Sequence, residues 1–68
     1  MKLDKNEYTI SSLKDFLVKK FGKKTTGKEF TIGDIHQYLI RGYLPHKYGG
    51  NTITVKTQNG IKIITLNG

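Results

Sequence analysis

Ile53-Thr54-Val55-Lys56-Thr57-Gln58-Asn59-Gly60-Ile61-Lys62-Ile63-Ile64-Thr65-Leu66 decides the fold of this chain. Asn59-Gly60 is the pair best suited to a two-residue turn, because both positions must take positive φ and the strands must keep their right-handed twist. If those two residues form the turn, Val55 faces Ile64 and Ile53 faces Leu66. Four apolar side chains then share one face of a hairpin spanning about 51–57 and 61–66. The same register turns Lys56, Ile61 and Ile63 to the opposite face. Another strand, around residues 3–8 or 28–30, or a second copy of the chain would cover the two isoleucines. A three-residue turn would instead bury Ile61 and Ile63 and expose Ile64 and Leu66.

Upstream of the hairpin the apolar period changes from two to that of a helix. Thr31 and Asp34 are spaced as a capping box, Phe30 and Ile35 flank it as a staple, and Ile32, Ile35 and Leu39 form one stripe. Gly42 and Pro45 end the element, with Leu44 as the closing contact, so a helix is expected over 32–41. Gly33 weakens its first turn and suits the close approach of another backbone. A first helix is expected over about 10–21. Thr9 is its N-cap, with Ser12 and Asp15 as an alternative start; Ile10, Leu13, Phe16, Leu17 and Phe21 make its apolar face, and Gly22 stops it. Lys28-Glu29-Phe30 reads as a short extended piece with Phe30 buried.

These elements fill the chain. Its 68 residues, 35% of them hydrophobic, suffice for one small domain with a thin core. There is no cysteine, so neither a disulfide nor a thiolate-bound metal supports that core. The N-terminus is polar and no apolar run approaches membrane-spanning length, so a soluble cytoplasmic protein with no membrane partner is expected.

The net charge is +7, and eleven of the twelve basic residues are lysines. Residues 1–34 hold eight lysines and all five acids. Residues 35–68 hold Arg41, Lys47, Lys56 and Lys62 with no acid, so nothing there repels a polyanion. Catalysis is not expected. Ser11 and Ser12 open a helix with no histidine near them in sequence, Asp34 is explained as a cap, and His36 and His46 have no third ligand at a metal spacing. No cofactor or metal is expected either.

The order helix, turn, helix, hairpin with a basic second half resembles a winged-helix domain. Within that class, residues 34–53, with Gly42-Tyr43-Leu44-Pro45 and Gly49-Gly50, are similar to the helix-to-wing segment of the excisionase and MerR-type DNA-binding family. The similarity covers about a third of the chain. The connection from Lys23 to Phe30 is longer than that family's turn, and the second helix carries only one arginine.

The resemblance implies an α+β, winged-helix-like nucleic-acid-binding domain over residues 1–68, an accessory or regulatory protein placed at the nucleoid. His36, Gln37 and Arg41 would meet bases in the major groove of duplex DNA. Lys47, Lys56 and Lys62 would meet phosphates, and Lys23, Lys24 and Lys28 would add nonspecific attraction. Two other readings stand beside it. Tyr38, Tyr43 and Tyr48, interleaved with Arg41 and Lys47, suit stacking on single-stranded bases. Ile61 and Ile63, if exposed, suit a protein partner, as in an inhibitor or adaptor of a phage or mobile element, or a homodimer.

Overall fold

The computed structural model describes residues 5–68. Thr9 and Thr31 each stand in extended backbone and turn the chain into a helix: α1, Ile10–Phe21, and α2, Ile32–Arg41. Both boxes are closed. Thr9 Oγ1 accepts from Ser12 N at 3.2 Å while Ser12 Oγ accepts from Thr9 N at 2.8 Å. Thr31 Oγ1 accepts from Asp34 N at 3.2 Å while Asp34 Oδ2 accepts from Thr31 N at 2.9 Å. Each box satisfies two backbone N–H groups that would otherwise lack a partner. At the other end of α2, Gly42 takes the left-handed conformation at φ 84° and its N–H donates to Tyr38 O at 2.9 Å.

Three antiparallel strands form one sheet in the order β1 (Glu7–Tyr8), β3 (Ile61–Asn67), β2 (Thr52–Gln58). The domain is therefore α+β: two helices and a three-stranded antiparallel sheet. Asn59 at φ 53° and Gly60 at φ 78° make the two-residue turn. The pairing is Val55 with Ile64 and Ile53 with Leu66, which excludes the three-residue alternative. The strand that covers the second edge of β3 is β1, with Glu7 opposite Thr65 and Tyr8 opposite Ile64. Residues 28–30 form no strand. They close a turn in which Lys24 N donates to Lys28 O at 2.8 Å.

Behind α2 the chain binds the free edge of β2. Ile53 N donates to Gly42 O and Leu44 N to Asn51 O, both at 2.8 Å, and Tyr43 bridges to Thr52. Residues 43–50 are not wholly irregular, because His46–Tyr48 make one 3-10 turn.

The core lies between the helices and one sheet face. Leu13 and Leu17 of α1 and Ile35 and Tyr38 of α2 pack with Ile53, Ile64 and Leu66 of the hairpin, and with Phe30, Leu44 and Tyr48. Four apolar side chains were expected on that face, and Val55 departs from the expectation. It is 39% exposed because it lines an open cleft beside α2 and is not enclosed in the core. From Lys56 to Lys62 the hairpin is exposed on both faces, so its distal half projects from the body of the domain.

The opposite sheet face corrects a second expectation. Ile61 is exposed, but Ile63 is fully buried and offers nothing to a partner or a dimer contact. Lys56 Nζ lies 2.8 Å from Glu7 Oε2. Since Glu7 stands beside Thr65 and Lys56 beside Ile63, this ion pair arches over β3 and covers part of it. Gly33 is also not needed by any neighbouring backbone. A methyl group placed there would meet only Thr31 Oγ1, at an ordinary 3.6 Å.

Candidate nucleic-acid interface

α2 both builds the core and borders a surface. Successive residues turn about 100° around the axis, so Ile35, Tyr38 and Leu39 point inward while Gln37, Ile40 and Gly33 lie on the far side. The flank between, carrying His36, Leu39 and Ile40, faces the projecting hairpin across a cleft of about 250 Å³. Its other wall is Val55 and Lys62. Those two meet there because Val55, in register with Ile64, and Lys62, two residues earlier on β3, share the helix-facing side of the sheet. The floor is apolar and the rims carry an imidazole and an ammonium.

The expected helix residues do not act from one face. His36 lines the cleft, whereas Arg41 lies about 140° further around α2, on the side of Tyr38. Gln37 lies between them and, like both, is exposed. Ile40 had no role in the apolar stripe read from the sequence, yet it is the most exposed of the large hydrophobic side chains at 79%. Its position outside the stripe of Ile32, Ile35 and Leu39 was the signal that could have found it.

The lysines divide by partner. Lys24 Nζ lies 3.0 Å from Asp34 Oδ2, which ties the loop after α1 to the cap of α2. Burial alone would raise the Asp34 carboxyl, but the Thr31 N–H and the Lys24 ammonium outweigh it and hold the carboxyl below its ordinary range. Lys47 Nζ donates to Thr25 Oγ1 at 3.0 Å and stands 5.3 Å from the centre of the Tyr48 ring. Lys56 is engaged by Glu7. These three, of which Lys47 and Lys56 were expected at phosphates and Lys24 as nonspecific attraction, have partners within the fold. Among the described residues, Lys23, Lys28, Arg41 and Lys62 are exposed with no carboxylate within ion-pair distance.

The tyrosines divide more sharply. Tyr38 and Tyr48 are buried, so neither can offer a face to a base. Tyr48 packs edge-on to Phe30 and Phe21 at 5.0 and 5.4 Å, and its hydroxyl accepts from Thr25 N at 3.1 Å. Burial pushes the Tyr38 hydroxyl above its usual range, reinforced by Asp34 and Tyr48. Only Tyr43 of the three is exposed. The 3-10 turn explains the difference, because it points Tyr48 inward under the loop of residues 22–30.

No protein-family model matches the chain, and comparison with curated proteins and with solved structures yields no match. No helix among the described residues is long and apolar enough to cross a membrane.

Proposed function

We propose that this protein binds duplex DNA, with the outer side of α2 toward the major groove and the hairpin against the adjoining backbone. The observation that carries the reading is the placement of the acid-free second half. The exposed side of α2 and the projecting hairpin stand on either side of one cleft, with His36 on one wall and Lys62 on the other. An exposed helix carrying Gln37 and Arg41 supplies the side chains that pair with adenine and guanine edges. A hairpin exposed on both faces supplies an arm that can lie along phosphates. The resemblance to the excisionase and MerR-type winged-helix family adds weight to this arrangement, with α2 as the groove-reading helix. The burial of Tyr38 and Tyr48 counts against base stacking on single strands.

Fluorescence anisotropy with labelled duplex DNA, single-stranded DNA and RNA, each over a salt series, tests the proposal. The expected result is tighter binding to duplex, with log K falling against log salt at a slope of about −2.7 to −4.5 for three to five neutralised phosphates. Lys62→Ala should lower that slope by about one, and Lys56→Ala, already paired with Glu7, by less. Arg41→Ala should weaken binding to a selected site more than to random duplex. Preference for single strands, or no binding at low salt, overturns the proposal.

A further inference from the structure

The outermost line of α2 is not charged, and its composition says which base pair it suits. Measured around the helix axis from Ile35, Gly33 lies at about 160°, Gln37 at about 200° and Ile40 at about 140°. The three therefore form one ridge on the outer side of α2, with Ile40 on the edge that also borders the cleft. Ile40 is 79% exposed on it, although the same turn of the helix has buried positions that an isoleucine would fill. Gly33 costs the helix stability relative to alanine, and neither a positive φ nor a neighbouring protein atom requires it. A bare backbone, an amide and an aliphatic side chain follow one another along the ridge. Among the described residues no neighbouring atom requires the first, and the last borders only the open cleft.

We infer that this ridge reads A·T pairs, with Gln37 on the adenine edge, Ile40 on the thymine methyl group and Gly33 leaving room for the helix to sit deep in the groove. The inference rests on the DNA-binding reading above and names its substrate class as thymine-containing duplex. The chemistry follows from the major-groove edges. Thymine alone among the DNA bases offers a methyl group there, and an amide can pair with adenine N6 and N7 at the same base pair or its neighbour. Gln37 and Ile40 are three residues apart, about 4.5 Å along the axis, or about one and a third base-pair steps of 3.4 Å. Lys62, across the cleft from Ile40, is placed for the phosphate of a strand so held.

The test selects binders from a duplex pool with a randomised centre and remakes the selected duplexes with deoxyuridine in place of thymidine. The remade duplexes keep every hydrogen-bonding group and lose only the methyl. Wild-type protein should bind them about fourfold more weakly for one methyl contact. Ile40→Ala should bind the thymine and uracil forms alike. Gly33→Ala should melt at the same or a higher temperature than wild type, yet bind the selected duplex several-fold more weakly. Equal wild-type affinity for the thymine and uracil forms overturns the ridge assignment while leaving duplex binding intact. Undiminished binding by Gly33→Ala removes the close approach. Absence of duplex binding in the initial selection overturns the functional reading itself, and this inference with it.

Discussion

α1 and α2 begin alike and end as different objects. Each is entered through a threonine capping box, each is stopped by a glycine, and each puts two side chains wholly or almost wholly inside the core. The surface of α1 opposite those residues is mostly polar, with Ser11, Asp15 and Lys19 beside a Val18 that is 40% exposed. The surface of α2 opposite its core residues holds glycine, glutamine and an isoleucine almost fully in solvent. The caps differ as well. In α1 the reciprocal partner is the hydroxyl of Ser12, a neutral and local device. In α2 it is the carboxylate of Asp34, which also holds Lys24 and so ties the cap to the preceding loop. The contrast is one of degree: both helices carry an aliphatic side chain on the outer side, but Ile40 of α2 is 79% exposed against 40% for Val18 of α1, and only the α2 cap is tied to the preceding loop by an ion pair.

The largest effects should come from the inner side of both helices. Leu17→Ala and Ile35→Ala each remove a fully buried aliphatic side chain and should cost about 2–5 kcal/mol. A domain of this size has only about 3–10 kcal/mol in total, so urea unfolding should show both variants mostly unfolded or nearly so. A fold that survives one loss easily would show that the two helices do not share one core.

The caps come next. Thr9→Ala and Thr31→Ala should each cost about 1 kcal/mol by chemical denaturation. The Thr31 loss should be the larger, because it also removes the N-cap hydroxyl bonded to the Asp34 carboxylate that holds Lys24. Equal losses would erase the difference drawn between the two boxes.

Acid also separates the two boxes. The folded Asp34 carboxyl lies below its unfolded value of about 3.9. Its contribution is therefore fully present above that value and is lost as pH falls through the lower, folded value. Thermal melting followed between pH 6 and 2 should show this loss in wild type and in Thr9→Ala, since the α1 box has no titrating group. Asp34→Asn should flatten that part of the profile. An unchanged profile in Asp34→Asn would place the acid sensitivity elsewhere.

The smallest effects should lie on the surface. Lys56→Ala should cost at most about 1 kcal/mol, and less at high salt, because the lysine side of its ion pair with Glu7 is solvent-exposed. Ile40→Ala should change stability by about 0.5 kcal/mol or less. A larger loss on Ile40→Ala would mean that the ridge supports the fold, and the distinction between the two helices would fail.

The fold was legible in the sequence wherever its signals were local. Thr31 and Asp34 sit three residues apart and need nothing beyond their own turn to cap α2. Asn59 and Gly60 select a turn by their backbone preferences, and the period of two then carries the register to Ile53 and Leu66 without outside help. The candidate interface was legible only in part. The acid-free second half and the exposure of His36, Gln37 and Arg41 could be read from spacing. That Arg41 faces away from the cleft lined by His36 follows from where the core lies, and spacing alone does not locate the core.

What the sequence by itself determined is thus the two helices, their limits and the hairpin register, because capping bonds, turn dihedrals and side-chain alternation act within a few residues; it left β1 as one of two alternatives and did not show the 3-10 turn at His46–Tyr48. The tertiary structure alone decided the rest. It buried Ile63 on the sheet face away from the core, brought Glu7 to Lys56 and Thr25 to Tyr48, and turned Tyr38 and Tyr48 inward. Each of those outcomes joins residues far apart in the chain. Many partners of matching chemistry compete for such a contact, and only the packing of the whole domain selects among them.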